Sequence, residues 1–181
     1  MIYIGAENVI SPLGKSIQEN FLKLSGNESG VQEISGVGRN LETYYLGKIL
    51  DQPVAFSTLM AAGIQGSMDA IDASILKSPK TILLISSTKG DIAHHIHAQF
   101  NSASAYLSTE FGLVHQPIVV SYACISGVLA INMAERLIQS QGYDHAIVVG
   151  CDLVSNFVLY GFQSLFAMSP QFCKPFDASR Q

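Results

Sequence analysis

The sequence predicts an α/β fold in which helices are layered on a mixed, mostly parallel sheet. Three observations carry this expectation. Short β-rich apolar runs stand at 81–86, 117–121 and 145–150, each separated from the next by a run long enough for a helix. The runs are continuously apolar rather than alternating, as expected of strands covered on both faces. Strands joined through helices pair in parallel as β-α-β units.

The elements follow in order. Ile2 to Ile4, with Val9 and Ile10 beyond, read as a first strand or hairpin. An amphipathic run through Ile17, Phe21, Leu22 and Leu24 then reads as a helix that stops at Ser25-Gly26-Asn27-Glu28-Ser29-Gly30, where Gly and Asn tolerate a left-handed turn. Residues 31–53 fit neither period. From Phe56 to Leu76 the apolar positions Ile64, Met68, Ile71 and Ile75 recur at steps of three and four, with Asp69 and Asp72 off that face, which predicts one helix. Thr81-Ile-Leu-Leu-Ile-Ser86 is the first buried strand, and a more polar helical segment spans about 91–111. Pro117-Ile-Val-Val-Ser121 is the second strand, Ile125 to Gln141 a helix, and His145-Ala-Ile-Val-Val-Gly150 the third strand. The 125–141 helix carries apolar side chains around most of its circumference, so it is expected to be central and buried.

At 181 residues the chain is about one domain long. Hydrophobic residues make up 48% and charged residues 13%, against about 25% charged in an average globular protein, so a buried interface is expected. No apolar run reaches the roughly 20 residues of a membrane-spanning helix. The N-terminus shows no secretory pattern, which points to a cytoplasmic protein. A net charge of −4 without a Lys/Arg cluster argues against a nucleic-acid surface, though an acidic carrier protein could dock on a small local basic patch. Cys124, Cys151 and Cys173 are odd in number and widely spaced, which suggests neither a disulfide framework nor a zinc site. His94-His-Ile-His97 with Asp91 upstream steps around a helix without an evident fourth ligand and reads as a polar surface; no metal and no cofactor are expected.

One cysteine stands out by position. Cys124 lies in Ser121-Tyr-Ala-Cys-Ile-Ser-Gly127, between a buried strand and a helix start. Unpaired amides and the helix dipole there stabilise negative charge, and the thiolate is the attacking form of a thiol. The same amides could hold the oxyanion formed on a thioester carbonyl. Cys151 and Cys173 lack this setting and are expected to be inert. A cysteine hydrolase would need a Gly-x-Cys-x-Gly turn, and Tyr122 stands where the first glycine belongs.

Ala123-Cys124-Ile-Ser126-Gly127 resembles the nucleophile turn of condensing enzymes of the thiolase-like superfamily. Along the chain, Asn8-Val-Ile-Ser-Pro-Leu-Gly14, Lys23-Leu-Ser-Gly26 with Ser29-Gly30-Val31, Phe111-Gly-Leu113, Ala134-Glu-Arg-Leu-Ile138, Gly161-Phe-Gln-Ser-Leu-Phe-Ala-Met-Ser169 and Cys173-Lys-Pro-Phe-Asp-Ala-Ser-Arg180 resemble successive segments of β-ketoacyl-[acyl-carrier-protein] synthases, in the same order. Two segments depart from that pattern: Gln116-Pro117 replaces Gly-Pro before the nucleophile strand, and Gly150-Cys151-Asp152 replaces an acidic Gly-Gly segment after the third strand.

The resemblance implies a thiolase-like layered fold, with residues 1–181 as the N-terminal domain and one of two halves. It implies acyl transfer from an acyl carrier protein to Cys124, then decarboxylative condensation with a malonyl carrier thioester, in fatty acid or polyketide-type biosynthesis. Phe162, matching an aromatic beside the nucleophile, is expected to gate the acyl pocket, with Phe166 and Met168 lining it; Asp177 and Arg180 match structural positions. No histidine motif of the second half occurs in these residues, so condensation by them alone is not expected. The resemblance also implies a homodimer in which strand 117–121 pairs with its twin. The alternative is a non-catalytic partner or regulatory subunit of a condensing-enzyme heterodimer.

Overall fold

The computed structural model describes residues 1–49 and 54–179. Its centre is a parallel three-stranded sheet of β3 (Thr81–Ser86), β4 (Ile118–Val120) and β5 (His145–Gly150), in the spatial order β4-β3-β5. β3 pairs along its whole length with β5, from Thr81–His145 to Ser86–Gly150, and over its last three residues with β4. The chain therefore passes from β4 over β3 to reach β5, and the connecting helix α4 (Ser126–Gln139) lies across the sheet. A separate antiparallel hairpin, β1 (Gln32–Val37) and β2 (Glu42–Leu46), precedes these strands.

Every residue of β3 is buried. Alternate side chains enter two cores, as the period of two requires. Leu83 and Ile85 join Phe56, Met60 and Ile64 of α2 (Phe56–Gln65) and Ala103, Leu107 and Phe111 of α3 (Asn101–Phe111). Ile82 and Leu84 meet Ala130 and Ala134 of α4 on the other face. The result is the layered α/β arrangement expected, with strands at the places the apolar runs predict.

Several expectations are corrected. Residues 2–4 form no strand: they have no ladder partner among the described residues, and Tyr3 and Ile4 are exposed. A short apolar run becomes a strand only where a neighbour accepts its backbone hydrogen bonds. The helix read over 56–76 ends at Gln65. Gly66 and Ser67 follow, with the Ser67 hydroxyl donating to the Ile64 carbonyl at 2.7 Å, and Ile71 is extended at φ −139°. Asp72 then accepts from the Ser74 amide and starts a second 3₁₀ turn at Ala73–Lys77. Met68, Ile71 and Leu76 still reach the same core, so the apolar spacing marked burial although the backbone breaks.

Residues 91–100 form turns rather than helix, beginning at Gly90 with φ +58°; α3 starts only at Asn101 and stops at left-handed Gly112. The region left unassigned at 31–53 holds the β1–β2 hairpin, and its residues 50–53 lie outside the described residues. α1 (Ile17–Ser25) occurs as expected: the Ser16 hydroxyl accepts from the Glu19 amide, while the Glu19 carboxylate accepts from the Lys15 amide at 2.6 Å. α4 is not wrapped on all sides. It buries Ser126, Ala130 and Ala134 at four-residue steps and leaves Val128 70% and Ile131 60% exposed. The small buried residues let the helix approach the sheet closely, and no second layer among the described residues covers its outer face.

A buried leucine at the centre of β3 tests this packing. Leu84→Ala, at a side chain with no exposure, is expected to lower unfolding stability by about 2–5 kcal/mol in urea titration. A loss below about 1 kcal/mol would contradict the two-sided burial of β3.

Candidate functional site

The three parallel strands end on the same side of the sheet, so the segments after Ser86, Val120 and Gly150 converge, as they do at binding sites of open α/β sheets. Cys124 projects from the second of these segments, four residues beyond β4 and two before α4, and is exposed. The turn beneath it is strained. Ala123 adopts φ +47°, a left-handed conformation that costs a non-glycine residue about 1 kcal/mol.

Ser126 holds that conformation. Only 3% exposed, its hydroxyl accepts from the Tyr122 amide at 2.8 Å and donates to the Ala123 carbonyl at 2.7 Å. The amides of Ile125 and Ser126 bond back to Tyr122 and Ala123 at 3.3 and 3.2 Å. No side chain caps α4, and among the described residues the amides of Gly127 and Val128 have no hydrogen-bond partner. The thiol thus stands at the positive end of a 14-residue helix with open donors close by in the chain.

The other cysteines differ. Cys151 is buried in the core cluster with Val149, and burial, reinforced by the neighbouring Asp152 carboxylate, pushes its thiol up to about 12. Cys173 is exposed in the C-terminal segment.

The structure leaves the expected pocket residues on open surface. Phe162 lies on α5 (Asn156–Ser164) and is half-exposed, Phe166 is 96% exposed at φ +53°, and Met168 is partly buried. No hydrogen bond or ring contact joins any of them to Cys124. α5 is pinned instead to the hairpin: the Gln163 side chain accepts from the Arg39 amide and donates to Glu42 and Tyr44 at 2.7 and 3.1 Å. Asp177 bonds the Ser179 hydroxyl and amide, which hold its carboxyl below the usual range, and Arg180 lies outside the described residues. His94 Nδ1 contacts Asp91 at 2.7 Å. Among the described residues no three His, Cys, Asp or Glu side chains gather as metal ligands, and no helix is long and apolar enough to cross a membrane.

Sequence reasoning passed over Ser87, Thr88 and Asp152, which hydrogen-bond one another where the strands end. The available signal was topological: each closely follows a strand of one parallel sheet, so all three fall at the same end.

The family of β-ketoacyl synthase N-terminal domains matches residues 45–181, with Cys124 inside the match. The chain belongs to the β-ketoacyl synthase family. Among solved structures it is similar to the ketosynthase ApeO in complex with its chain length factor ApeC from Xenorhabdus doucetiae, with a TM-score of 0.78 and 21% sequence identity. That similarity covers 97% of this chain and 54% of the other, so the synthase domain described here spans about half of the neighbour's length. No curated protein matches the chain in sequence. The shared fold is the thiolase-like layered one.

The contrast between Cys151 and Cys124 is measurable. Iodoacetamide at pH 8 should leave Cys151 unmodified in the native domain and alkylate it once the chain is unfolded. Because the folded thiol is raised from 9.0 to about 12, its contribution to stability is complete below pH 9 and is lost as pH rises from 9 toward 12. Cys151→Ala should flatten that alkaline loss in urea titrations; an unchanged slope would show that this thiol is not buried as described.

Proposed function

We propose that this chain is the acyl-accepting part of a β-ketoacyl synthase acting on carrier-bound thioesters. The observation that carries the reading is the exposed thiol of Cys124 on a strained strand-to-helix turn. The Cys124 sulfur, as thiolate, attacks the carbonyl carbon of an acyl carrier protein thioester. A new carbon–sulfur bond forms and the oxyanion is met by open amides at the helix start. Collapse of that intermediate breaks the bond to the carrier sulfur, which leaves as thiolate and takes up a proton from solvent.

In the complete enzyme a malonyl carrier thioester then loses carbon dioxide, and the resulting carbanion attacks the acyl-cysteine carbonyl carbon; the new carbon–carbon bond forms as the carbon–sulfur bond to Cys124 breaks, which releases the cysteine as thiolate and leaves the β-keto product on the carrier. Groups that stabilise the enolate are assigned to residues outside this sequence. His94 is engaged with Asp91, and His115 donates through Nε2 to the Pro79 carbonyl at 2.7 Å. Phe162, Phe166 and Met168 supply apolar surface for the acyl chain, with Phe162 as its gate. The products belong to fatty acid or polyketide-type biosynthesis.

Association accompanies this activity. β4 is one of the two edge strands of the sheet, its outer side has no strand partner among the described residues, and Val119 is 39% exposed. Such an edge pairs with another strand unless it is blocked. We assign it to a second copy of the chain across a two-fold axis. The solved neighbour, a ketosynthase bound to a chain length factor, supports pairing with a related but different chain as the alternative, in which this chain would be a regulatory subunit.

Two measurements test these assignments. Cerulenin, a thiol-directed inhibitor of condensing enzymes, should modify Cys124 in preference to Cys151 and Cys173, as mapped by peptide mass spectrometry. Preferential labelling elsewhere would remove the acyl-acceptor reading and favour the regulatory one. Sedimentation at micromolar concentration should show a dimer that Val119→Lys shifts to monomer, since a charge on the pairing edge opposes association. A variant that dimerises unchanged would show that β4 does not carry the contact.

A further inference from the structure

Beyond the nucleophile turn, the ends of the three strands meet in a polar cluster centred on Asp152. Its Oδ1 accepts from the Ser87 hydroxyl at 2.9 Å, the Thr88 hydroxyl at 2.7 Å and the Thr88 amide at 3.0 Å. Oδ2 lies 3.3 Å from the same amide. Ser87 is 2% exposed, and its oxygen also accepts from the Gly90 amide at 2.9 Å. Gly90 itself is fixed: its φ is +58°, and a Cβ there would stand 2.8 Å from the Gln99 carbonyl oxygen. The loop after β3 is therefore shaped from the β5 side by one carboxylate.

The same loop touches the approach to Cys124. The Ser87 amide donates to the Val120 carbonyl, and the Ser121 hydroxyl donates to the Thr88 carbonyl, both at 3.4 Å. These contacts are long, whereas those to Asp152 are short and charge-assisted, so the loop takes its place from Asp152 and the end of β4 follows it. Removing the carboxylate would leave a buried serine hydroxyl without its acceptor and free Thr88. Cys124 stands three residues beyond Ser121.

We infer that Asp152 is a positioning residue for Cys124, acting through Ser87, Thr88 and Ser121 rather than by touching the substrate. The inference rests on the reading of Cys124 as acyl acceptor. A displacement of about 1 Å at a reacting atom can cost up to about a hundredfold in rate, which gives the cluster a catalytic consequence.

The test is single-turnover transfer of an acyl group from an N-acetylcysteamine thioester to Cys124 in the purified chain, read by intact-protein mass spectrometry. Amide hydrogen exchange across residues 121–126 is measured alongside. Asp152→Ala should slow transfer about tenfold and speed exchange in that segment. Asp152→Asn keeps the Oδ1 acceptor and should stay within about threefold of the starting protein, a rescue that general destabilisation would not produce. Ser121→Ala should slow transfer less, and the double variant Ser121→Ala/Asp152→Ala should be no slower than Asp152→Ala alone, because both act on one path. An unchanged rate and exchange in Asp152→Ala, an Asn variant as slow as the Ala variant, or effects that multiply in the double variant would overturn the inference. Should Asp152→Ala fail to fold, Thr88→Val removes one donor with little change of shape, and the cycle with Ser121→Ala decides in its place. If the unaltered chain takes no acyl group onto Cys124, the acyl-acceptor reading falls, while exchange at 121–126 still decides whether Asp152 holds the turn.

Discussion

Both faces and both edges of β3 are occupied, and the placement of every element near the site depends on this. β4 and β5 take its edges in parallel, while α2 and α3 on one side and α4 on the other take its faces. A strand enclosed in this way cannot slip by one residue without exchanging its two side-chain sets, so its register is specified by Ile82 and Leu84 against Leu83 and Ile85. Once the register is set, its last residue fixes where the segments after all three strands meet. Asp152 meets Ser87 and Thr88 there although they are far apart in sequence.

Strain in the turn before Cys124 is supported from within. Ala123 carries a left-handed backbone that glycine would adopt freely, yet Ser126 satisfies both the amide before it and the carbonyl of Ala123 itself. The cost falls on the turn and is offset by a serine buried under α4.

The high apolar content has a visible destination. Val128, Ile131 and Met133 on α4, together with Val119 on the sheet edge, form exposed apolar surface on a chain that already possesses two cores. This surface accounts for the helix reading that failed: an apolar circumference is the pattern of a helix covered on all sides, and within this chain only one side is covered.

How much was legible depended on the range of the forces involved. By itself the sequence determined the three core strands, α1, α3 though not its start, α4 and the strand-to-helix position of Cys124, because local periodicity and turn chemistry act over a few residues. The turn that carries Cys124 was legible for the same reason, since its hydrogen bonds run among residues 122 to 126. Only the tertiary structure decided that residues 2–4 have no strand partner, that the 56–76 run breaks at Gly66, and that Val128 and Ile131 face outward. It alone joined Gln163 to the hairpin and Asp152 to Ser87 and Thr88, across 119 to 124 residues in the first case and 64 to 65 in the second. A hydrogen bond at that separation depends on where the strands end in space, and residue periodicity carries no record of it until the sheet order is known.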